Sequence, residues 1–294
     1  MRWIEGYIAV DWGTTNRRGY RMDSDGRCQA EFEDGRGILS IAQGGFGDAV
    51  AELRRELGDL PLLLAGMVGS NRGWVEAPYV PCPAKACDLA ERLIWAEPDR
   101  AAIVPGLSIT GERFDVMRGE EVQLFGAVAA GLVPPTARVV HPGTHNKWVT
   151  LEDGRITDFM TVMTGEMFSL LRDHSLLAPL LTGAAEVGES FARGVRTGLG
   201  DRVLTAELFS VRARALLGGK AGDDASSFTS GLLIGADVRA GLASSPHEEI
   251  FVLGRPELTS LYAAALTQAG RIPREVDGEA AFLAGIHQIA EQME

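Results

Sequence analysis

The sequence has no long apolar run. None of its hydrophobic stretches approaches the roughly 18 residues that are needed to cross a bilayer. The first six residues, MRWIEG, also lack the apolar segment of a signal peptide. We therefore expect no membrane partner, and we expect the chain to work in the cytoplasm.

Cysteine is also scarce. The three cysteines, Cys28, Cys82 and Cys87, form an odd count without CxxC spacing, so they indicate neither a disulfide framework nor a zinc site. A free cysteine is most often a small, buried apolar residue. We predict that all three pack in the interior.

Positive charge is in short supply. The chain has 28 Lys and Arg against 40 Asp and Glu, which gives a formal net charge of -12. Binding to nucleic acid or to an anionic membrane surface needs clustered basic residues. A nucleic-acid partner is therefore not expected, and any anionic ligand has to be held by a local site.

The length of 294 residues favours two domains over one. A helical pattern over residues 121–132 is followed by Pro134-Pro135, and proline cannot continue a helix. We place the boundary there, which gives an N-terminal lobe over 1–133 and a C-terminal lobe over 134–294. A final helix over 279–292 could pack at the lobe interface.

The order of elements indicates an α/β fold with mixed sheets flanked by helices. Residues 7–10 predict a strand, and the turn formers at 23–26 predict a hairpin into a third strand. A helix with Val50, Leu53 and Leu57 on one face follows, and then a strand at 62–65 that is apolar on both faces.

A short pattern occurs twice. Residues 13–17 read GTTNR and residues 143–147 read GTHNK, and each copy runs through a strand into a DGR turn, at 25–27 and 153–155. Two related lobes would explain the repeat. The alternative is chance, because Gly-Thr pairs are common.

The two Gly-Thr turns have the equipment to wrap a phosphate. Their backbone N–H groups and hydroxyls can bind it without net positive charge, whereas Gly219-Lys220 lacks the rest of a Walker pattern and is rejected. A late strand at 250–253 that turns into a helix is a common nucleotide site. The candidate phosphate contacts are Gly13, Thr14, Thr15, Asn16, Gly143, Thr144, His145, Asn146 and Lys147, and the candidate nucleotide contacts at the late strand are Gly254 and Arg255.

Carboxylates beside these turns suggest phosphoryl-transfer chemistry. Asp11 ends the first strand and could hold Mg²⁺ through water, although an Asx-turn role would also explain it. Glu120 and Glu121 lie between a short strand and the boundary helix, where either could be the general base. Their alternative role is to stabilise the helix start. Glu166 is the next carboxylate to consider as base.

The motifs resemble those of the actin, hexokinase and Hsp70 superfamily. The resemblance rests on D-x-GTT at 11–15, the second turn at Gly143-Thr144 and the late turn at Gly254. It implies a two-lobed actin-like ATPase fold of the ribonuclease H-like type, with the active site in the interlobe cleft. The segment 119–126 is similar to the one that carries the catalytic Asp of glycerol-kinase-like enzymes, which favours Glu120 as the base.

A narrower resemblance covers essentially the whole chain. The stretches GMVGSNRGW at 66–74, EAPY at 76–79, MRGEE at 117–121 and HPGTHNK at 141–147 resemble the 2-dehydro-3-deoxygalactonokinase family. This implies a kinase that uses ATP and Mg²⁺ to phosphorylate the terminal C6 hydroxyl of 2-dehydro-3-deoxy-D-galactonate. The product would be 2-dehydro-3-deoxy-6-phosphogalactonate.

The acceptor pocket is expected beyond the strand at 62–65, because open α/β sheets bind ligands at the carboxyl ends of their strands. Ser70, Asn71 and Trp74 follow that strand, and Arg118 could pair with a sugar-acid carboxylate. The alternatives are a kinase of another sugar or sugar acid, or an actin-like or chaperone-like ATPase without a metabolite acceptor. A repressor would need a DNA-binding module ahead of the first strand. The sequence leaves open whether the chain forms a homodimer.

Overall fold

The computed structural model describes residues 3–218, 224–243 and 247–293. The Gly219-Lys220 pair lies outside the described residues. The chain forms two compact units: unit 1 comprises Met1–Thr136, Leu151–Asp158 and Gly278–Glu294, and unit 2 comprises Ala137–Thr150 and Phe159–Asp277. Both units are discontinuous in sequence, and the division at residue 134 stays a prediction.

Strands and helices are interspersed along the chain, as an α/β fold requires. The strands are β1 (Tyr7–Trp12), β2 (Arg17–Met22), β3 (Cys28–Asp34), β4 (Leu62–Ala65), β5 (Tyr79–Pro81), β6 (Ile94–Glu97), β7 (Ala101–Ile103), β8 (Gly106–Ile109), β9 (Asp115–Met117), β10 (Ala137–His141), β11 (Asn146–Glu152), β12 (Arg155–Val162), β13 (Glu249–Gly254) and β14 (Ile272–Asp277). The helices are α1 (Phe46–Leu57), α2 (Ala86–Ala90), α3 (Glu120–Ala129), α4 (Thr164–His174), α5 (Glu189–Leu199), α6 (Leu204–Leu216), α7 (Ala225–Leu242), α8 (Pro256–Gln268) and α9 (Gly278–Glu291).

Unit 1 is built on a six-stranded mixed sheet of order β3-β2-β1-β4-β7-β6. The predicted antiparallel start is confirmed, because β1 pairs with β2 and β2 with β3 in that sense. Parallel pairing of β1 with β4 sets Asp11 opposite Ala65, so both strands end at the same edge of the sheet. Helix α1 buries Val50, Leu53 and Leu57 against the sheet, as predicted.

Unit 1 also contains a three-stranded sheet of order β5-β8-β9 and the helix pair α3 and α9. These two helices pack closely, with Gly126 of α3 facing Gly285 of α9. Helix α3 was predicted to run to residue 132, but it ends at Ala129. It ends there because the backbone N–H groups of Leu132 and Val133 both donate to the Ala127 carbonyl and close a tight turn.

Unit 2 contains most of a five-stranded sheet of order β12-β11-β10-β13-β14. Strand β13 pairs in parallel with β10 on one side and β14 on the other. Helices α5, α7 and α8 cover this sheet through an apolar core that includes Trp148, Phe191 and Val238. Within the described ranges, no helix has both the length and the apolar character to cross a membrane.

The prediction of three interior cysteines was wrong for Cys87, which is exposed, while Cys28 and Cys82 are half-buried. The reason is local. Helix α2 turns its alanine and leucine face inward, which leaves Cys87 outside. Strand β3, which carries Cys28, is mostly exposed at the edge of its sheet.

Candidate active site

Two glycines bring Asp11 close to the start of helix α3 in unit 1. Gly66 follows β4 with φ +94°, and Gly119 precedes α3 with φ +104°. A Cβ on Gly66 would lie 2.8 Å from the Trp12 carbonyl oxygen and 3.5 Å from Asp11 Oδ1, and a Cβ on Gly119 would lie 3.1 Å from the Gly66 Cα. Side chains are therefore excluded where these three segments meet.

Asp11 has the electrostatics of a cation-binding carboxylate. Its pKa is raised to about 6: burial is the largest cause, Arg18 opposes the shift, and Glu120 and Glu33 add to it. A negative charge in this place is disfavoured until a cation arrives. No cluster of three potential metal ligands occurs among the described residues. A single carboxylate could hold Mg²⁺ through water, and magnesium binding at Asp11 stays a prediction.

Glu120 and Glu121 turn back onto the loop before α3. A Glu120 carboxylate oxygen accepts a hydrogen bond from the Arg118 N–H at 3.0 Å, and both Glu121 oxygens accept from the Gly119 N–H at 2.8 Å. Glu121 has no exposed surface, whereas Glu120 is half-buried. Burial and the nearby Glu120 raise the pKa of Glu121 to about 8. Of the two carboxylates, Glu120 is the one that a substrate can reach.

Backbone hydrogen bonds from residues 37 and 38 hold the first Gly-Thr turn in place. The Gly37 N–H donates to the Thr15 carbonyl at 2.9 Å, and the Ile38 N–H donates to the Gly13 carbonyl at 3.0 Å. Thr14, Thr15 and Asn16 are exposed. The turn is therefore fixed in shape while its hydroxyls face solvent.

The residues predicted for the acceptor pocket follow the short 3-10 helix Met67–Gly69 in unit 1. Ser70 is buried, and its hydroxyl accepts a hydrogen bond from the Arg72 N–H at 3.3 Å. Asn71 is exposed, and Trp74 is half-buried against the apolar core. Their places next to the end of β4 leave a pocket role open, and it stays a prediction.

Arg118 is folded inward. It is 8% exposed, its Nη2 donates to the Ala77 carbonyl at 2.6 Å, and its guanidinium lies 4.4 Å from the centre of the Tyr79 ring. Its Nε and Nη1 are covered by protein and have no hydrogen-bond partner among the described residues. Contact with a substrate carboxylate would require a local rearrangement.

The second Gly-Thr turn, in unit 2, is held by side chains and by helix α4. The Gly143 N–H donates to Asn146 Oδ1 at 2.7 Å, and the Glu166 N–H donates to the Thr144 carbonyl at 2.9 Å. His145 Nε2 and a Glu166 carboxylate oxygen are 2.6 Å apart. Glu166 is therefore engaged with the turn.

Two residues of this turn point into the protein. The Asn146 amide donates to Asp237 at 2.6 Å, and the Lys147 ammonium donates to the Thr161 hydroxyl at 2.8 Å. Lys147 is 4% exposed. Phosphate contacts from these two side chains stay a prediction, whereas the backbone and side chains of Thr144 and His145 are exposed.

Asp237 is a buried hub that the sequence patterns did not reveal. It lies on α7, is 2% exposed, and accepts hydrogen bonds from Asn146, Trp148, Thr164 and Tyr262. The available signal was a single acidic residue within the otherwise apolar or small-residue stretch of this helix. A buried carboxylate in such a place needs several donors.

A small pocket lies beside the second turn within unit 2. Gly254 ends β13 next to Pro142, and Arg255 precedes α8 at an exposed position. The pocket is mainly apolar, and its walls include Gly143, Thr164, Phe168, Leu233, Leu258 and Leu261. This is a suitable environment for the flat face of a purine.

The fold is that of the actin-like ATPases. Component A of (R)-2-hydroxyglutaryl-CoA dehydratase from Acidaminococcus fermentans superposes with a TM-score of 0.53 at 11% identity, over 97% of this chain and 98% of that one. A likeness this remote shows the fold alone.

The chain belongs to the 2-keto-3-deoxy-galactonokinase family, whose model matches residues 11–289. It is 38% identical to the 2-dehydro-3-deoxygalactonokinase of Escherichia coli K12 over 288 residues, which cover 97% of each chain. A crystal structure of a candidate 2-dehydro-3-deoxygalactonokinase from Sinorhizobium meliloti superposes with a TM-score of 0.90 at 37% identity, over 97% of this chain and 98% of that one. The predicted family resemblance is confirmed.

Proposed function

We propose that this protein is a kinase that transfers the γ-phosphoryl group of ATP to the C6 hydroxyl of 2-dehydro-3-deoxy-D-galactonate. The observation that carries the proposal is the meeting of Asp11 with the Glu120 end of helix α3, at the carboxyl ends of β1 and β4, in a chain of this family. A kinase needs one carboxylate near the phosphates and one near the acceptor hydroxyl.

ATP is the phosphoryl donor in this proposal. The first turn offers exposed Thr14 and Thr15, the second offers Thr144 and His145, and the apolar pocket beside Gly143 would take the adenine. Asp11 would hold Mg²⁺ through water, and the ion would neutralise charge on the phosphates. The cytoplasm, where ATP is made and used, is the compartment we propose for this reaction.

Glu120 is the proposed general base. Its half-buried carboxylate would accept the proton of the C6 hydroxyl as that oxygen attacks the γ-phosphorus. A weak base is sufficient because the transition state of phosphoryl transfer is loose.

The acceptor would bind beyond β4. Ser70 and Asn71 offer hydrogen bonds and Trp74 offers an apolar face at this edge of the sheet. The uncommitted Nε and Nη1 of Arg118 are donors for the carboxylate of the sugar acid, once the surrounding loop makes room. Pairing with the substrate carboxylate would give these two buried guanidinium donors hydrogen-bond partners.

The decisive experiment measures ADP release with a panel of acceptors. We expect turnover with 2-dehydro-3-deoxy-D-galactonate and none with neutral sugars, and the gluco epimer in the same panel measures epimer selectivity. Preference for another sugar acid would support the proposed kinase activity but identify a different acceptor. ATP hydrolysis that does not respond to any acceptor would favour the actin-like or chaperone-like ATPase.

The Glu120→Gln variant tests the proposed base. It should lose about 10²- to 10⁴-fold in kcat while its KM values for ATP and the sugar acid stay near those of wild type. Glu121→Gln is the matched control, because Glu121 is adjacent but fully buried. An active Glu120→Gln protein beside an inactive Glu121→Gln protein would contradict the assignment.

A further inference from the structure

Asp237 gathers four hydrogen-bond donors from three different elements of unit 2. Oδ1 accepts from the Trp148 indole at 2.7 Å. Oδ2 accepts from the Asn146 amide and the Thr164 hydroxyl, each at 2.6 Å, and also from the Tyr262 hydroxyl. Three of the four donors therefore converge on Oδ2, and the fourth, the Trp148 indole, meets Oδ1.

The direction of these bonds determines how Asn146 is oriented. Its amide nitrogen is held by Asp237, so its oxygen faces the turn and accepts the Gly143 N–H at 2.7 Å. If the amide were reversed, its NH₂ group would face the Gly143 N–H, and a buried donor would lose its partner. A hydrogen-bond relay therefore runs from Asp237 through the Asn146 amide to the backbone of Gly143. Asp237 determines which end of that amide faces the Gly143–His145 turn.

A second connection runs through Thr164 at the start of α4. The Thr164 hydroxyl donates to Asp237, and the next two residues contact the turn. A Cβ on Gly165 would lie 2.2 Å from the Gly143 carbonyl oxygen, and the Glu166 N–H donates to the Thr144 carbonyl at 2.9 Å. Both flanks of the turn are therefore tied to one carboxylate.

Tyr262 completes the set as a permanent donor. Burial, and then the charge of Asp237, raise the pKa of the Tyr262 hydroxyl well above its ordinary value. The hydroxyl therefore stays protonated and donates a hydrogen bond to Asp237. The same side chain lines the apolar pocket, so the hub also borders the space proposed for adenine.

We propose that Asp237 is a positioning residue for nucleotide binding, which sets the Gly143–His145 turn through Asn146 and Thr164. This inference rests on the proposed function, because it assumes that the turn binds ATP phosphates. Asp237 itself contacts neither ligand in this scheme. A preorganised turn binds phosphate without the cost of ordering its N–H groups at each cycle.

The test compares Asp237→Ala with wild type by direct titration with ADP and by steady-state kinetics. Alanine accepts no side-chain hydrogen bond, so the Asn146 amide and the Thr164 hydroxyl both lose their contact with residue 237. We expect nucleotide affinity and the KM for ATP to worsen by about 10-fold or more, while the KM for the sugar acid changes less than about twofold. Equal effects on both substrates, or no effect on nucleotide, would overturn the proposal.

Two further variants separate positioning from plain structural support. Trp148→Phe removes the Oδ1 donor but leaves Asn146 and Thr164 in place, so it should lower thermal stability and keep nucleotide affinity within about twofold. The exchanged pair Asn146→Asp with Asp237→Asn lets the carboxylate at 146 accept from both Gly143 and the new amide. Recovery of nucleotide affinity above that of the Asn146→Asp single variant supports the relay, and a double variant that binds nucleotide no better than Asn146→Asp contradicts it.

Thr164→Val tests the proposal if Asp237→Ala does not fold. It is nearly isosteric and removes one donor, and we expect a rise of a few fold in the KM for ATP alone. An unchanged KM in this folded variant would overturn the Thr164 connection. Wild-type protein that binds no ADP or ATP would instead refute the proposed function, which keeps the two failures distinct.

Discussion

The buried carboxyl of Glu121 should make the stability of this protein fall with pH. The pKa of Glu121 is raised from 4.5 to about 8, first by burial and then by the charge of Glu120. The native state therefore binds more protons than the unfolded state between these values. The stabilisation that protonated Glu121 contributes is fully present below the pKa of the unfolded state. It is lost as the pH rises through the pKa of the folded state.

The magnitude follows from proton linkage. Each unit of pKa difference corresponds to about 1.4 kcal/mol, and a carboxyl with these two values should cost roughly 2 kcal/mol of unfolding free energy between pH 6 and pH 8. The Glu121→Gln variant removes the titration and keeps an oxygen to accept the Gly119 N–H. Its stability relative to wild type should therefore increase by that amount over the same range.

The assay is thermal or denaturant unfolding of both proteins at pH 6, 7 and 8. For a chain of this size, about 2 kcal/mol corresponds to roughly 3 °C in Tm. Glu120→Gln serves as the control, and it should keep most of the wild-type slope because burial is the larger cause of the shift. Parallel curves for wild type and Glu121→Gln would refute the reasoning.

Three other substitutions test the site. Asp11→Asn should lower kcat by about 10²-fold or more and shift the Mg²⁺ dependence, and near-normal turnover would exclude the metal role. Glu166→Gln should weaken ATP binding only a few fold, because an exposed pair with His145 is worth about 0–1 kcal/mol, and complete inactivity would make Glu166 the base. Trp74→Ala should raise the KM for the sugar acid about 10-fold or more with the KM for ATP unchanged, and an unchanged acceptor KM in folded protein would leave Trp74 a packing residue.

The fold was accessible from the sequence because its signals are local. The apolar strands β1 and β4, the hairpin turns and the amphipathic helix α1 follow from spacing and turn chemistry, and the structure confirms them. The helix bounds were less predictable, since α3 ends through a turn on Ala127 and not at the proline pair. The exposure of Cys87 depends on which face of the short helix α2 packs inward, and composition carries no such information.

The site was accessible only in part. Residues in motifs, such as Asp11 and the two Gly-Thr turns, could be named from the sequence because their chemistry lies within a few consecutive positions. Asp237 could not be connected to Asn146, because 91 positions separate them and only folding brings them together. A choice between Glu120 and Glu121 likewise depends on which of the two side chains is buried, and their adjacent positions in the sequence do not show this.

The crossing of Gly66 and Gly119 has a consequence for how this protein tolerates change over evolution. Neither residue has a side chain that could take part in chemistry, yet each occupies a backbone conformation and a space that an alanine would strain. A deep mutational scan should therefore show these two positions to be as intolerant as Asp11. The positions of Asp11 and Glu120 therefore depend on two neighbouring residues that have no side chain.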